Sequence, residues 1–367
     1  MKMKKFRYLW FVIILCIFCM TLFFARTRSK IEIRNRIYRQ WNQQFVVSKG
    51  KESYIRTTND SNQTVVLSEA QSYGMLITVE AAKKGQAHQE DFDCLYQYYL
   101  KHRLGDTQLM SWKQTISDGK VAAEDHNATD GDLYIAYSLL EASHQWPKQA
   151  KKYQAQAKAI LGDILKYNYN EETGVLTVGN WANGDSDFYH LMRTSDTLPA
   201  QFQVFYEVTQ DPKWLDIKEK MLKQLDTISS QSNTGLLPDF IWVEEQGTRV
   251  ADPNTIESKY DGSYSYNACR LPYNLVQSKD PVSQKMVKKM LGFFNDQRNL
   301  YAGYDLKGKA LNNHQAASFL APIIFASERE KSYLKLVQQN KYIFTQDLPL
   351  NNYYDATMTT MIALELF

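Results

Sequence analysis

Residues 127–142 read NATDGDLYIAYSLLEA. Leu133, Ala136, Tyr137 and Leu140 recur at i, i+3, i+4 and i+7, the spacing of one apolar helix face. Thr129 and Asp132 have capping-box spacing, so the helix is expected to open at the acidic turn Asp130-Gly131-Asp132 and run to residue 144. Residues 66–75, VLSEAQSYGM, open a second helix in the same way. Ser68 and Gln71 repeat the capping-box spacing, and Leu76, Ile77 and Ala81 follow at helical intervals. Lys83, Lys84 and Gly85 then supply a basic last turn and a stop. Glu69 and Asp132 thus occupy equivalent places at helix starts. If both helices belong to one inner ring, both carboxylates project into one mouth. The plainer alternative is that each acid only complements the dipole of its first turn, and for Asp130 solvated capping is as good a reading as substrate contact.

The rest of the chain reads as further helices. Beside 69–84 and 130–144 they are expected over 91–103, 148–167, 198–208, 212–229, 280–296, 315–327, 329–339 and 354–366. Strand-like alternation is confined mainly to Leu236–Val243. Ten or more helices of ordinary length, with no heptads and no repeat of fixed period, argue against a coiled coil or a solenoid. They point to helical hairpins around a common axis, and an all-α (α/α)6 barrel of six inner and six outer helices is one economical solution.

Composition narrows the partners. The chain has 367 residues, 44% of them hydrophobic and 23% charged, enough for a full core. Its net charge of +3 excludes nucleic acid as the main partner. Aromatics make up 13%, with 24 Tyr and 7 Trp, and such rings offer the flat faces on which sugars stack. Six scattered His and no CxxC or HExxH leave no metal-ligand spacing, so neither metal nor cofactor is expected. Cys94 and Cys269 are the only cysteines beyond the N-terminal segment, and sequence leaves open whether they pair.

The N-terminus is different material. Lys2, Lys4, Lys5 and Arg7 precede an uncharged apolar run from Tyr8 to Ala25. Its 18 residues span about 27 Å, close to a bilayer core. Arg26, Arg28 and Lys30 follow with no small-x-small cleavage site, which favours an uncleaved signal anchor over a signal peptide. The expected topology is N-terminus in and the large polar domain outside, with a secreted form as runner-up. Residues 26–50 read as a short juxtamembrane helix or stalk.

Two acids in an aromatic cleft are what glycosidic-bond hydrolysis requires, one protonating the leaving oxygen and the other acting on water or on the sugar ring. Ser68 to Met75, Phe92-Asp93, Trp112 and Ala128-Thr129-Asp130-Gly131-Asp132-Leu133-Tyr134-Ile135-Ala136 together resemble glycoside hydrolase family 8. The likeness runs in order from about residue 40 to the C-terminus. It implies an (α/α)6 barrel over 31–367 behind an anchor and cytoplasmic tip over 1–30, acting as a monomeric, inverting, endo-acting enzyme on a polysaccharide. It implies that Glu69 is the general acid and that Asp132 lies at the sugar-distortion subsite. Tyr73, Asp130, Tyr266 and Arg270 fall among the implied substrate contacts, and Gly74 would keep sugar approach clear beside Glu69. Trp112 and Trp181 are candidates for sugar stacking or for the core.

One position departs from the family pattern. Many members carry an Asp general base where SYSYNACRLPYNL has Asn267, and an amide cannot take a proton from water. The stretches RTSDTLPAQF and LLPDF, followed by Glu257, are more similar to the lichenase and chitosanase subgroups, which place Asn there and, in the chitosanases, draw the base from a nearby loop. Glu257 is the first candidate base, with Asp196 and Asp261 behind it and a solvated loop acid as the plain alternative. Three substrate readings follow: a β-1,4-linked glucan, chitosan with Asp185, Asp187 and Asp196 as extra acids, or non-catalytic glycan binding in polysaccharide export.

Overall fold

A computed structural model describes residues 2–58, 60 and 62–367, with side chains from Tyr8 onward. The side chains of Lys2, Lys4, Lys5 and Arg7 lie outside the described residues. Twelve α-helices are found among those described. After α1 (Lys2–Phe45) come α2 (Ser68–Lys83), α3 (Gln89–Lys101), α4 (Thr129–Gln145), α5 (Ala150–Tyr167), α6 (Pro199–Thr209) and α7 (Lys213–Ser230). The series ends with α8 (Leu271–Val276), α9 (Pro281–Asp296), α10 (Ala317–Arg329), α11 (Leu334–Asn340) and α12 (Tyr353–Leu366). Helices α2, α4, α6, α8, α10 and α12 form the inner ring, and each packs against one outer partner, the C-terminal part of α1 serving α12. This is an (α/α)6 barrel.

Residue choice separates the two rings. Inner helices such as α10, ASFLAPIIFASER, and α12, YYDATMTTMIALEL, are apolar or small on every side and buried along nearly their whole length. Outer helices bury one stripe: α7 covers Trp214, Ile217, Met221, Leu222, Leu225 and Ile228 and turns its Lys and Glu residues outward. The links differ as sharply. Each inner helix from α2 to α10 passes to its outer partner through three to five residues, as at 210–212 and 84–88. The return links, 46–67, 102–128, 168–198, 231–270, 297–316 and 341–352, are long, and all arrive at the N-terminal ends of inner helices. One end of the barrel is therefore tightly closed and the other carries loops.

Those loops hold short strands that the all-α expectation omitted. β1 (Val46–Lys49) and β2 (Glu52–Ile55) form a hairpin, β3 (Thr64–Leu67), β4 (Lys113–Ser117) and β5 (Lys120–Ala123) a second antiparallel sheet. β6 (Leu191–Arg193), β7 (Phe240–Glu244) and β8 (Gly247–Val250) form a third, with β7 overlapping the end of the stretch where alternation is visible in the sequence. The registers Leu67↔Lys113 and Arg193↔Phe240 deliver Trp112 and Arg193 to the helix starts.

Four expectations are corrected. Neither capping box forms: α2 and α4 begin after Leu67 and Ala128 without side-chain caps. Gln71 instead accepts from Ile55 N and donates to Ser53 O and Leu95 O, and Thr129 donates to Thr177 O. Gly74 serves packing rather than sugar access, since a Cβ there would stand 2.3 Å from Ile55 Cγ1. The helix expected from residue 329 begins at Leu334, after a 3₁₀ turn at 331–333. Of the stretch 26–50, read as a short helix or stalk, residues 26–45 are helical but not a separate short element: α1 runs unbroken from the apolar segment into the barrel, where Ile37, Tyr38, Trp41 and Phe45 are buried. Trp41 Nε1 donates to Thr357 Oγ1 at 2.9 Å. Cys94 and Cys269 are both free thiols.

Gly131 sets the distance between α2 and α4. A Cβ at this position would stand 2.2 Å from Ser68 Oγ and 2.9 Å from the Ser68 backbone carbon, so only glycine lets the two helix starts meet. Gly131→Ala is expected to force them apart and to cost about 1–3 kcal/mol of stability, read as a lower Tm in thermal unfolding followed by circular dichroism.

Candidate active site

The cleft opens where the inner helices begin. Glu69 is the second residue of α2, Asp130 the second of α4, and Tyr354 the second of α12. Asn267 and Arg270 stand at the entry to α8. These side chains line a cavity of about 330 Å³ together with Ser68, Trp112, Arg193, Glu257 and Tyr266. A second hollow of about 290 Å³ shares Trp112, Ala128, Arg193 and Glu257 with it and extends past His126 and Trp181, making one groove.

Two guanidinium groups organise the floor. Arg270 is 2% exposed and donates to Tyr73 Oη at 2.9 Å, Asp130 Oδ2 at 3.1 Å, Ser195 Oγ at 2.8 Å and Asn267 Oδ1 at 3.0 Å. Its Nη1 also lies 3.5 Å from Glu69 Oε1. Arg193 stands 3.2 Å from Asp130 Oδ1, 3.7 Å from Asp196 Oδ2 and 3.4 Å from Glu257 Oε1. Acids and bases thus alternate from Glu69 through Arg270, Asp130 and Arg193 to Glu257.

Burial decides the protonation of these acids. Glu69 shows 21% of its side chain to the cleft, and its Oε1 accepts no hydrogen bond within the protein. Loss of water pushes its carboxyl up to about 7, and Asp130 and Glu257 push the same way against Arg270 and Arg193. The helix dipole favours the charged form at this position, but burial outweighs it. Asp130 shifts the other way, held below the usual carboxylate range: two guanidiniums and the Gly131 N–H overcome its burial. Asp196 is 1% exposed with neither oxygen hydrogen-bonded, and burial pushes it to about 7 in spite of Arg193.

The sequence-derived residues divide into three groups. Glu69, Trp112, Asp130, Glu257, Tyr266, Asn267 and Arg270 meet on the main cavity, with Trp181 on its extension. Tyr266 is 44% exposed, its ring set edge-on against Phe319 at 5.1 Å. Trp112 stacks on His126 at 5.9 Å, and Trp181 meets both His126 and Phe188, giving an aromatic run along the groove.

Asp132 and Tyr73 do not reach the cleft. Asp132 is fully buried behind Asp130, its Oδ1 accepting from Met110 N at 2.9 Å and its Oδ2 from Asn127 Nδ2 at 2.8 Å. The acid facing Glu69 across the mouth is Asp130. Tyr73 lies beneath Arg270 and supports it.

Asp196 and Asp261, the fallback bases, are also absent from the cavity wall. Asp261 is 1% exposed and accepts from Ile256 N, Glu257 N and Ser258 N at 2.8–3.1 Å, fixing the turn that carries Glu257. Asp185 and Asp187 are exposed on a loop and line neither cavity.

Sequence reasoning missed three residues. Arg193 opens the RTSDTLPAQF stretch and had no local signature. Asp239, the acid of LLPDF, accepts from Ser265 N, Asn267 N and Ala268 N at 2.7–3.1 Å and pins the Asn267 turn. Tyr354 donates to Tyr266 O at 3.0 Å and steadies that platform.

Fold and site define a class: a helical barrel whose inner helix starts gather acids and aromatic rings in an open groove, the architecture of a polysaccharide-cleaving enzyme. A sequence profile of "Glycosyl hydrolases family 8" matches residues 13–365. The chain belongs to this family and is a glycoside hydrolase. It is 32% identical over 295 residues to a Beta-glucanase of Niallia circulans, covering 77% of this chain and 71% of that one. It is 26% identical over 307 residues to the reducing-end xylose-releasing exo-oligoxylanase Rex8A of Paenibacillus barcinonensis, covering 77% and 76%. The apo structure of a Beta-1,3-1,4-glucanase from Paenibacillus sp. X4 superposes with a TM-score of 0.81 at 25% identity, over 93% of this chain and 92% of that one.

Asp261→Asn keeps one acceptor oxygen and replaces the other with a donor facing backbone N–H groups. We expect a stability loss of about 1–3 kcal/mol and a fall in kcat with little change in KM, read by thermal unfolding alongside steady-state hydrolysis.

Proposed function

We propose that this enzyme is an inverting endo-β-glucanase that cuts β-1,4 bonds in a cellulose-like or mixed-linkage glucan. The observation carrying the reading is the pairing across one groove of Glu69, a buried carboxyl open to the cleft and protonated up to about neutral pH, with Glu257 on the loop opposite. Glu69 donates its proton to the glycosidic oxygen as the C1–O bond breaks. Glu257 takes a proton from the water that attacks C1 from the other face. Asn267, which departs from the usual base position, donates its Nδ2 to Glu257 Oε2 at 2.8 Å. It acts as the support of the base instead of the base itself.

Glu69 and Glu257 share no direct contact. Arg270 and Asn267 link them, Arg270 approaching Glu69 and Asn267 holding Glu257, and an inverting enzyme places its attacking water between such a pair. Asp130, locked between two guanidiniums, is the acid placed to hold the ring of the central sugar, in the role that sequence alone had given to Asp132. Trp112 and Trp181 offer faces for the flanking sugars.

A glucan fits better than chitosan, because among the described residues no acid beyond Glu69, Asp130 and Glu257 lines the groove to match cationic glucosamine. The relatives named for glucan cleavage support the same substrate.

One helix, Tyr8–Phe45, contains a segment apolar enough to cross a membrane, with a mean hydropathy of 2.6 and none of that segment buried. We infer that it anchors the chain in a membrane with the barrel outside.

Full-length protein in detergent is expected to release reducing ends from barley β-glucan or carboxymethyl-cellulose, the new ends appearing first as the α-anomer by NMR. Glu69→Gln and Glu257→Gln should each lower kcat about 10²–10⁴-fold with the fold intact. Oligosaccharide binding without any cleavage by the unaltered enzyme would refute the catalytic assignment. The catalytic form of Glu69 is the protonated one, so kcat/KM should hold below about 7 and fall as pH rises through it. A pH–rate profile checks this limb.

A further inference from the structure

The closed end of the barrel carries a groove that catalysis leaves unused. Helix α1 runs antiparallel to α12: Phe45 packs on Tyr353 at 5.8 Å, Trp41 bonds Thr357 at 2.9 Å, and Arg34 Nη1 donates to Phe367 O at 3.2 Å. Helix α12 starts at the cleft, so Phe367 marks the opposite end, where α1 leaves the barrel toward its apolar segment. Between that exit and α11 lies a hollow of about 540 Å³. Its apolar floor includes Ile33, Val337, Phe344 and Phe367, with Leu334 42% exposed at the edge. Arg26, Lys30 and Lys341 supply three cations against one acid, Glu328, and Lys30 Nζ stands 5.7 Å from the centroid of the Phe367 ring.

We propose that this groove docks on the anionic phospholipid headgroups of the leaflet from which α1 emerges, so that the cleft faces away from the bilayer. The inference rests on the anchor reading above. Height along the helix supports it. The uncharged run ends at Ala25, and the groove begins at the next residue, Arg26. From Arg26 to Ile33 the helix rises about 10 Å, while the headgroup layer is roughly 5–8 Å thick on each side.

Continuity supports it too. Because α1 has no break between membrane and barrel, the groove is carried to the surface and not merely tethered near it. Its chemistry matches the place: the basic side chains that open it, Arg26 and Lys30, meet the lipid phosphates, and Ile33, about 10 Å further up the helix, stands at the outer edge of the headgroup layer.

The test uses the full chain in nanodiscs of phosphatidylcholine alone or with added phosphatidylglycerol. Amide hydrogen exchange over residues 331–345 is expected to slow several-fold in the anionic discs, with α5 and α7 unchanged. Lys30→Glu combined with Lys341→Glu should abolish that protection and leave glucan hydrolysis unaltered. Equal exchange in the two kinds of disc would overturn docking, as would equal protection by glycerol phosphate added to neutral discs. A chain that inserts in neither disc overturns the anchor reading itself, which separates the two failures.

Discussion

Arg270 is a charged side chain at the centre of the inner ring, almost sealed from water, and its charge has to be met by neighbours. An isolated buried cation costs several kcal/mol, and here the compensation comes from four different places. Tyr73 comes from α2, Asp130 from α4, Ser195 from the turn before α6 and Asn267 from the entry to α8. Closing the barrel and solvating this guanidinium are therefore one requirement. If any of those helix starts shifts, the cation loses a partner and the cleft loses a wall.

The same requirement sets the chemistry. Glu69, Asp130, Asp196 and Glu257 surround only Arg193 and Arg270, and the excess of carboxyl groups is relieved by protons. Asp130 sits between both cations and stays low, whereas Glu69 and Asp196 rise to about 7. Of these two, only Glu69 faces the groove. A carboxyl that holds its proton up to about neutral pH thus arises where burial, a neighbouring acid and an open cleft coincide.

Supporting acids hold the loops in which this chemistry sits. Asp261 and Asp239 each gather three backbone N–H groups, one beneath Glu257 and the other beneath Asn267. The long return link 231–270 is thereby pinned at two turns, which meet through the Asn267–Glu257 hydrogen bond. At the other end, unbroken α1 makes the orientation of the barrel a property of the helix leaving it. The loops and the cleft lie at one end, and a basic groove with an apolar floor lies at the other.

The sequence by itself determined what depends on local order. Helical period placed most of the barrel helices within a few residues, an uninterrupted apolar run marked the N-terminal segment, and the two acidic motifs located the starts of α2 and α4. Short α8 and the small strands left too little periodic signal, and their place is set by neighbours. Which acid faces the cleft was decided by tertiary structure. Asp130 and Asp132 share one turn but lie about 200° apart around the helix axis, so only one can face Glu69, and Met110 N and Asn127 claim the other. Ser68, Gln71 and Thr129 have the spacing of caps, yet packing buries them, and two of them bond distant segments instead. A carboxyl's face, its water and its proton depend on atoms far away in the chain, and those are fixed only when the ring closes.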